Sequence, residues 1–252
     1  MTNPWVINFK SRPNAILRMF CFSYAGGNAY AFGPWAEALP TQVEVLAIQL
    51  PGRGARMFEP PYTSLPALVH DVAVALRPYL NRPFVFFGHS MGAIVSFELA
   101  RYFRARGMQQ PLHVFLSASG APRHRVQETM RSTLSDEDLT EELRSFNGVA
   151  PEILNDTELM RIMLPTIRAD FAVCENYAYQ PGPPLEMPIS VFGGLEDAGI
   201  SQEHLQLWEE ETKDRFSLRM FPGGHFFLHS AQSLTLQALL KDLAPYLQTV
   251  RA

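Results

Sequence analysis

The sequence predicts an α/β fold, with a mostly parallel central sheet covered on both faces by helices. Two observations lead there. Short apolar runs of strand character alternate with longer stretches patterned like amphipathic helices. The 252 residues are enough for one such domain, spanning 1–252, with a full hydrophobic core and one insertion.

Taken in order, the opening "MTNPWVINFK" lacks the basic, apolar and small-residue order of a secretory signal, and no apolar run approaches the roughly 18 residues of a membrane span. A soluble, cytoplasmic protein is expected. The strand candidates are "RMFCFSY", "VEVLAIQL", "FVFFG", "LHVFLSAS", "PISVFGG" and "FSLRMFPGG". Between them, "SLPALVHDVAVALRPYL" reads as a helix capped by Ser64 with Pro66 in its first turn, and "GAIVSFELARYFRARG" as one ending at Gly107.

From about 122 to 188 the strand rhythm stops and two helices are signalled. "SDEDLTEELRSF" places Ser135 and Asp138 in capping-box spacing, and "NDTELMRIMLPTIRADFAVCENY" does the same with Asn155 and Glu158. In the second, Leu159, Ile162, Met163, Ile167, Phe171 and Cys174 form one stripe, with Met160 and Leu164 beside it. Such a helix must be covered on more than one side, and Pro165 should kink or split it. Position and length fit either an extra core layer or a helical lid over a cleft.

The formal charge of −4 and the lack of a basic block argue against a nucleic-acid partner. Cys21 and Cys174 form no ligand cluster, so neither a metal site nor a disulfide is expected.

Catalytic chemistry is concentrated at "GHSMG". Gly88 and Gly92 flank Ser90 in the G-x-S-x-G pattern, between an apolar strand and a helix, which is the context that the motif requires. A turn this sharp strains its central residue and holds the hydroxyl at the sheet edge. The following helix offers the Met91 N–H to a developing oxyanion. A serine needs a base. Of seven histidines, His225 in "FPGGHFFLHS" follows the last strand on a glycine-rich loop at the same edge. His229 reads as a cap or surface residue, and His70, His113, His124 and His204 as structural or solvated. His89 should point away from the nucleophile. The imidazole needs an acid, and "PISVFGGLEDAGIS" offers Glu196 and Asp197 after a strand. For a second oxyanion donor, "FCFSYAGGNAYAF" brings Ala25, Gly26 and Gly27 up after an early strand, Ala25 N–H being the leading candidate over a simple glycine turn.

Together, "FSYAGG", "IQLPGRGARMFEPP", "FFGHSMGA", "VFGGLEDAGIS" and "FPGGHFF" resemble, in order and spacing, the standalone type II thioesterases that accompany polyketide and nonribosomal peptide synthetases. "LPGRG", with Arg56 and Glu59, is far more specific than G-x-S-x-G, since generic hydrolases do not carry it. Ser23 departs from the proline that the family often has there. The resemblance implies an α/β-hydrolase fold with a helical lid insertion, and selects Asp197 over Glu196. It implies a thioesterase that clears acyl groups from the phosphopantetheine arm of acyl or peptidyl carrier protein domains, using Ser90, His225 and Asp197 with Met91 and Ala25 as oxyanion donors, and no cofactor. A monomer is the simplest expectation. Alternatives are an acyltransferase on the same fold and a non-catalytic carrier-binding protein. Arg123 and Arg125, in "APRHRV", are candidates for carrier docking.

Overall fold

The structure, a computed structural model, describes residues 3–124, 130–146 and 151–248. Among these residues seven strands form one sheet: β1 (Val6–Ile7), β2 (Leu17–Phe22), β3 (Val43–Ile48), β4 (Phe84–His89), β5 (Val114–Ser117), β6 (Ile189–Gly194) and β7 (Phe216–Phe221). The spatial order is β1-β3-β2-β4-β5-β6-β7. Each pairing is parallel except β1 with β3. The six strands expected from apolar runs all form. The two-residue edge strand β1 has too short a pattern to read from the sequence.

The helices are α1 (Gly33–Ala38), α2 (Leu65–Leu76), α3 (Met91–Ala105), α4 (Asp136–Ser145), α5 (Pro151–Leu154), α6 (Thr157–Glu175), α7 (Gln202–Gln206), α8 (Phe227–Ser230) and α9 (Gln232–Leu247). Strand side chains alternate between the two sheet faces. In β4, Phe84 and Phe86 join the core beneath α2 and α3, while Val85 and Phe87 join the core formed with α1 and α9. The helix α3 ends as its glycine predicts: Gly107 takes φ +61°, and the N–H of Met108 returns to Phe103 O at 2.9 Å.

The segment between β5 and β6 carries α4, α5 and α6. Leu139, Leu143, Leu154, Met160, Leu164 and Ile167 form a small core of their own. Val173, further along α6, joins the main core. Ser135 caps α4 by accepting the Asp138 N–H at 3.1 Å. At α6 the cap is Asp156, not Asn155: its carboxylate accepts the Leu159 N–H at 3.0 Å. Asn155 is engaged one turn earlier, its N–H closing α5 onto Pro151 O. Nor does Pro165 split α6, which runs unbroken through it. Proline removes one helical hydrogen bond, and the turns around it are fastened from outside. Thr166 Oγ1 donates to Gly52 O at 2.7 Å, and Arg168 donates to Ser132 O and Leu134 O.

Strand order explains where a site forms. From β2 the chain moves to β3 on one side and later returns to β4 on the other, so the carboxyl ends of β2 and β4 flank a switch point where a crevice opens. Register aligns those ends: Phe22 with Gly88, His89 with Ser117, Ser117 with Phe192, and Gly194 with Phe221.

Candidate active site

Four loops leave that aligned edge, and each carries one of the residues singled out above. Ser90, between β4 and α3, has φ 56° and ψ −116°, a strained conformation for a residue with a side chain. The neighbouring glycines are steric necessities. A Cβ on Gly88 would stand 2.0 Å from Gly92 O, and one on Gly92 would stand 2.2 Å from Phe22 O. Both obstacles are backbone, so strand and helix approach this closely only without side chains there. The Ser90 N–H donates to Ser117 O at 2.7 Å, fixing the elbow to β5.

His225 follows β7. Its Nε2 lies 3.0 Å from Ser90 Oγ, and its Nδ1 lies 2.8 Å from Asp197 Oδ2. The other Asp197 oxygen accepts the Gly199 N–H at 3.0 Å. With Nδ1 donating to the carboxylate, Nε2 is left to accept the serine proton. Glu196 is exposed. The acid and histidine loops close on one another, since a Cβ on Gly194 would meet Gly224 O at 2.3 Å. His89 is buried with Nδ1 on Ser117 Oγ at 2.8 Å, and burial pushes its pKa well below the ordinary histidine value. His229 bonds Tyr24 OH at 3.1 Å.

The loop after β2 turns tightly, with Gly26 at φ +73° and the Gly27 N–H on Tyr24 O at 2.9 Å. Ala25 N–H meets no acceptor among the described residues. The Met91 N–H, in the first turn of α3, has no partner within its helix. Both therefore have donor capacity beside Ser90, as an oxyanion requires.

Ser90, Ala25, Met91 and His225 open into a cavity of about 460 Å³, and Ile94, Leu143, Met163, Ile167, Phe171 and Phe226 give it an apolar lining. Four of these six come from the insertion and a fifth, Phe226, from the loop beside His225. The insertion thus both builds its own core and roofs the cavity, reconciling the two readings of its helices. Phe146, at the end of α4, brings its ring within 5.9 Å of the His225 ring. Among the described residues no three His, Cys, Asp or Glu side chains gather as metal ligands.

"LPGRG" divides into two roles. Arg56 pairs with Glu59 at 2.5 Å and lies 4.1 Å over the Trp5 ring, a strut away from the serine. Arg53, not singled out in the sequence, reaches the site: it donates to Gly27 O at 2.9 Å and makes a two-pronged pair with Asp170 of α6 at 2.6 and 2.7 Å. Its signal was present in the two flanking glycines, Gly52 and Gly54, both at positive φ. Arg123 is committed to Glu211 at 3.0 Å and Tyr179 at 3.1 Å, which leaves it a weak candidate for docking. Arg125 lies outside the described residues.

A largely parallel sheet in this order, with a strained serine at its carboxyl edge, defines an α/β-hydrolase. Comparison with known proteins narrows the class: the thioesterase domain model matches residues 17–245, and the chain belongs to that family of thioester hydrolases. Gramicidin S biosynthesis protein GrsT of Aneurinibacillus migulanus is 44% identical over 241 residues, covering 96% of this chain and 94% of GrsT. Among solved structures, RedJ, a thioesterase from the prodiginine pathway of Streptomyces coelicolor, superposes with TM-score 0.82 at 39% identity over 86% of each chain. The type II thioesterase BorB from the borrelidin cluster gives 0.86 at 36% identity, over 97% of this chain and 98% of BorB.

Proposed function

We propose that this protein removes acyl groups from the phosphopantetheine thiol of carrier domains in a polyketide or nonribosomal peptide synthetase, using Ser90, His225 and Asp197. The observation that carries the reading is the hydrogen-bonded row from Ser90 through His225 to Asp197, opening into an apolar cavity roofed by the insertion. Relatives named for gramicidin S and borrelidin biosynthesis supply the carrier context.

Ser90 Oγ attacks the thioester carbonyl as His225 Nε2 takes its proton. The tetrahedral oxyanion receives the Met91 and Ala25 N–H groups, while Asp197 keeps Nδ1–H in place and stabilises the imidazolium. Collapse breaks the C–S bond, and His225 gives its proton to the departing thiolate. A water, deprotonated by the same nitrogen, then attacks the acyl-serine and frees the carboxylic acid. These steps balance with water alone and call for no metal or redox cofactor; the phosphopantetheine arrives as part of the substrate. In this reading the enzyme works in the cytoplasm as a monomer beside its synthetase.

The test loads an acyl group on a phosphopantetheinylated carrier protein and follows free acid. The native enzyme unloads it, and Ser90→Ala slows turnover by about a million-fold, the scale of nucleophile loss in a comparable Ser-His-Asp system. Unloading at the native rate by Ser90→Ala removes the serine mechanism. Failure of the native enzyme on any loaded carrier, with Ser90-dependent cleavage of small esters intact, removes the carrier as substrate.

A further inference from the structure

The oxyanion loop is built from residues that cannot hold their own shape. Gly26 and Gly27 lack side chains, and Gly26 sits at φ +73°, so the backbone beside Ala25 has wide conformational freedom unless something outside fixes it. The fixing groups come from far along the chain. Gly26 N–H donates to Asp170 Oδ2 at 2.7 Å, and Gly27 O accepts from Arg53 Nη1 at 2.9 Å. The same Asp170 oxygen accepts Arg53 Nη1 at 2.6 Å, and Oδ1 accepts Nη2 at 2.7 Å. Ile167, one turn earlier on α6, closes over the loop: its Cγ1 lies 2.8 Å from where a Gly26 Cβ would stand.

A peptide plane links these bonds to the proposed chemistry. Tyr24 C=O and Ala25 N–H belong to one trans peptide and point in opposite directions. While Gly27 N–H holds Tyr24 O, the Ala25 N–H is aimed the other way; that turn persists only if Gly26 and Gly27 stay in place. Asp170 and Arg53 are both buried, with side chains 3% and 7% exposed. An ion pair so placed is weak evidence for stability, because desolvation offsets much of its attraction. Its geometric effect on the loop is the clearer consequence.

We propose that Asp170 is a positioning residue for the oxyanion hole: from α6 it fixes the Gly26 peptide directly and Gly27 through Arg53, so the site is competent only while α6 is seated. The proposal rests on the reading of Ser90 as nucleophile and Ala25 as donor. Asp170 touches no reacting atom, and acts through the backbone that does.

The test compares the native enzyme with Asp170→Asn and with the double variant Asp170→Leu/Arg53→Met. The second replaces the ion pair by apolar groups of similar volume, an exchange that cores often tolerate or gain from, yet it leaves the Gly26 N–H without its acceptor. Active sites are first counted with a serine-directed phosphonate. Per titrated site, kcat on an acyl-loaded carrier falls about 30- to 100-fold in both variants with KM within about twofold, the size expected of a misplaced catalytic group. Affinity for an alkyl boronate, which binds Ser90 as a tetrahedral anion, falls in parallel, while a ground-state thioether analogue binds as before. A double variant that melts at or above the native temperature and keeps kcat within about threefold overturns the proposal. So does loss of thioether binding equal to the loss of boronate binding. A native enzyme whose Ser90 does not react with the phosphonate overturns instead the nucleophile assignment, and this proposal with it.

Discussion

At the scale of single residues, the two adjacent acids after β6 separate cleanly. Asp197 places one oxygen on His225 Nδ1 and the other on the Gly199 N–H, while Glu196 is exposed. Asp197→Asn should retain the fold and lower kcat by about ten-thousand-fold, because an amide stabilises the wrong imidazole tautomer and cannot balance the imidazolium. Glu196→Gln should leave kcat within a factor of about two. Comparable losses in both would mean that the acid has been misassigned. The serine and the histidine were legible in the sequence because each sits in a glycine-marked turn directly after an apolar strand. The acid was less legible: two carboxylates share one loop, and side-chain direction there depends on how closely Gly194 packs on Gly224. Arg53 and Asp170 were missed because their partnership spans 117 residues and neither stands in a catalytic motif.

At the scale of elements, α6 carries three contact surfaces at once. Met160 and Leu164 pack on α4 and α5, Val173 joins the main core, and Met163, Ile167 and Phe171 face the cavity. The excess of apolar positions over a single stripe announced this, although it could not say which surface was which. The cap was read one residue early because Asn155 and Asp156 are both good caps; the α5 turn, too short to carry a pattern, takes the first of them. Cavity-facing residues of α6 should set the acyl size accepted. Met163→Trp, adding bulk to the cavity into which Ser90 opens, should lower kcat/KM for a long-chain acyl carrier about tenfold or more while leaving an acetyl carrier within about threefold. An equal fall for both chains would place the effect in the fold or in carrier docking instead of the acyl space.

At the scale of the whole molecule, the sheet has a reactive edge and a quiet one, and the quiet edge carries a pH liability. His113, just before β5, stacks on Phe115 with ring centroids 4.3 Å apart and bonds Ser190 Oγ at 2.9 Å through Nε2. Ser190 in turn donates to Asp242 on α9 at 2.7 Å, and Asp242 pairs with Arg219 on β7. Burial pushes the pKa of His113 down to about 4, and burial also lowers that of His89 next to Ser90. A histidine kept neutral by folding is protonated more readily in the unfolded chain. Its stabilising contribution is therefore complete above the ordinary value near 6.5 and is lost as pH falls from there towards 4. For His113 the full loss amounts to about 3 kcal/mol, at roughly 1.4 kcal/mol per pKa unit. His113→Phe keeps the stack on Phe115 and removes the titration. It should be less stable than the native protein at pH 7, where the bond to Ser190 is gone, yet lose less stability on acidification. Urea unfolding at pH 7, 6, 5 and 4 reads this directly: the stability difference between the two proteins should shift by about 3 kcal/mol in favour of His113→Phe over that range. Parallel curves would mean that His113 titrates near its ordinary value and that acid sensitivity arises elsewhere, His89 being the next residue to substitute.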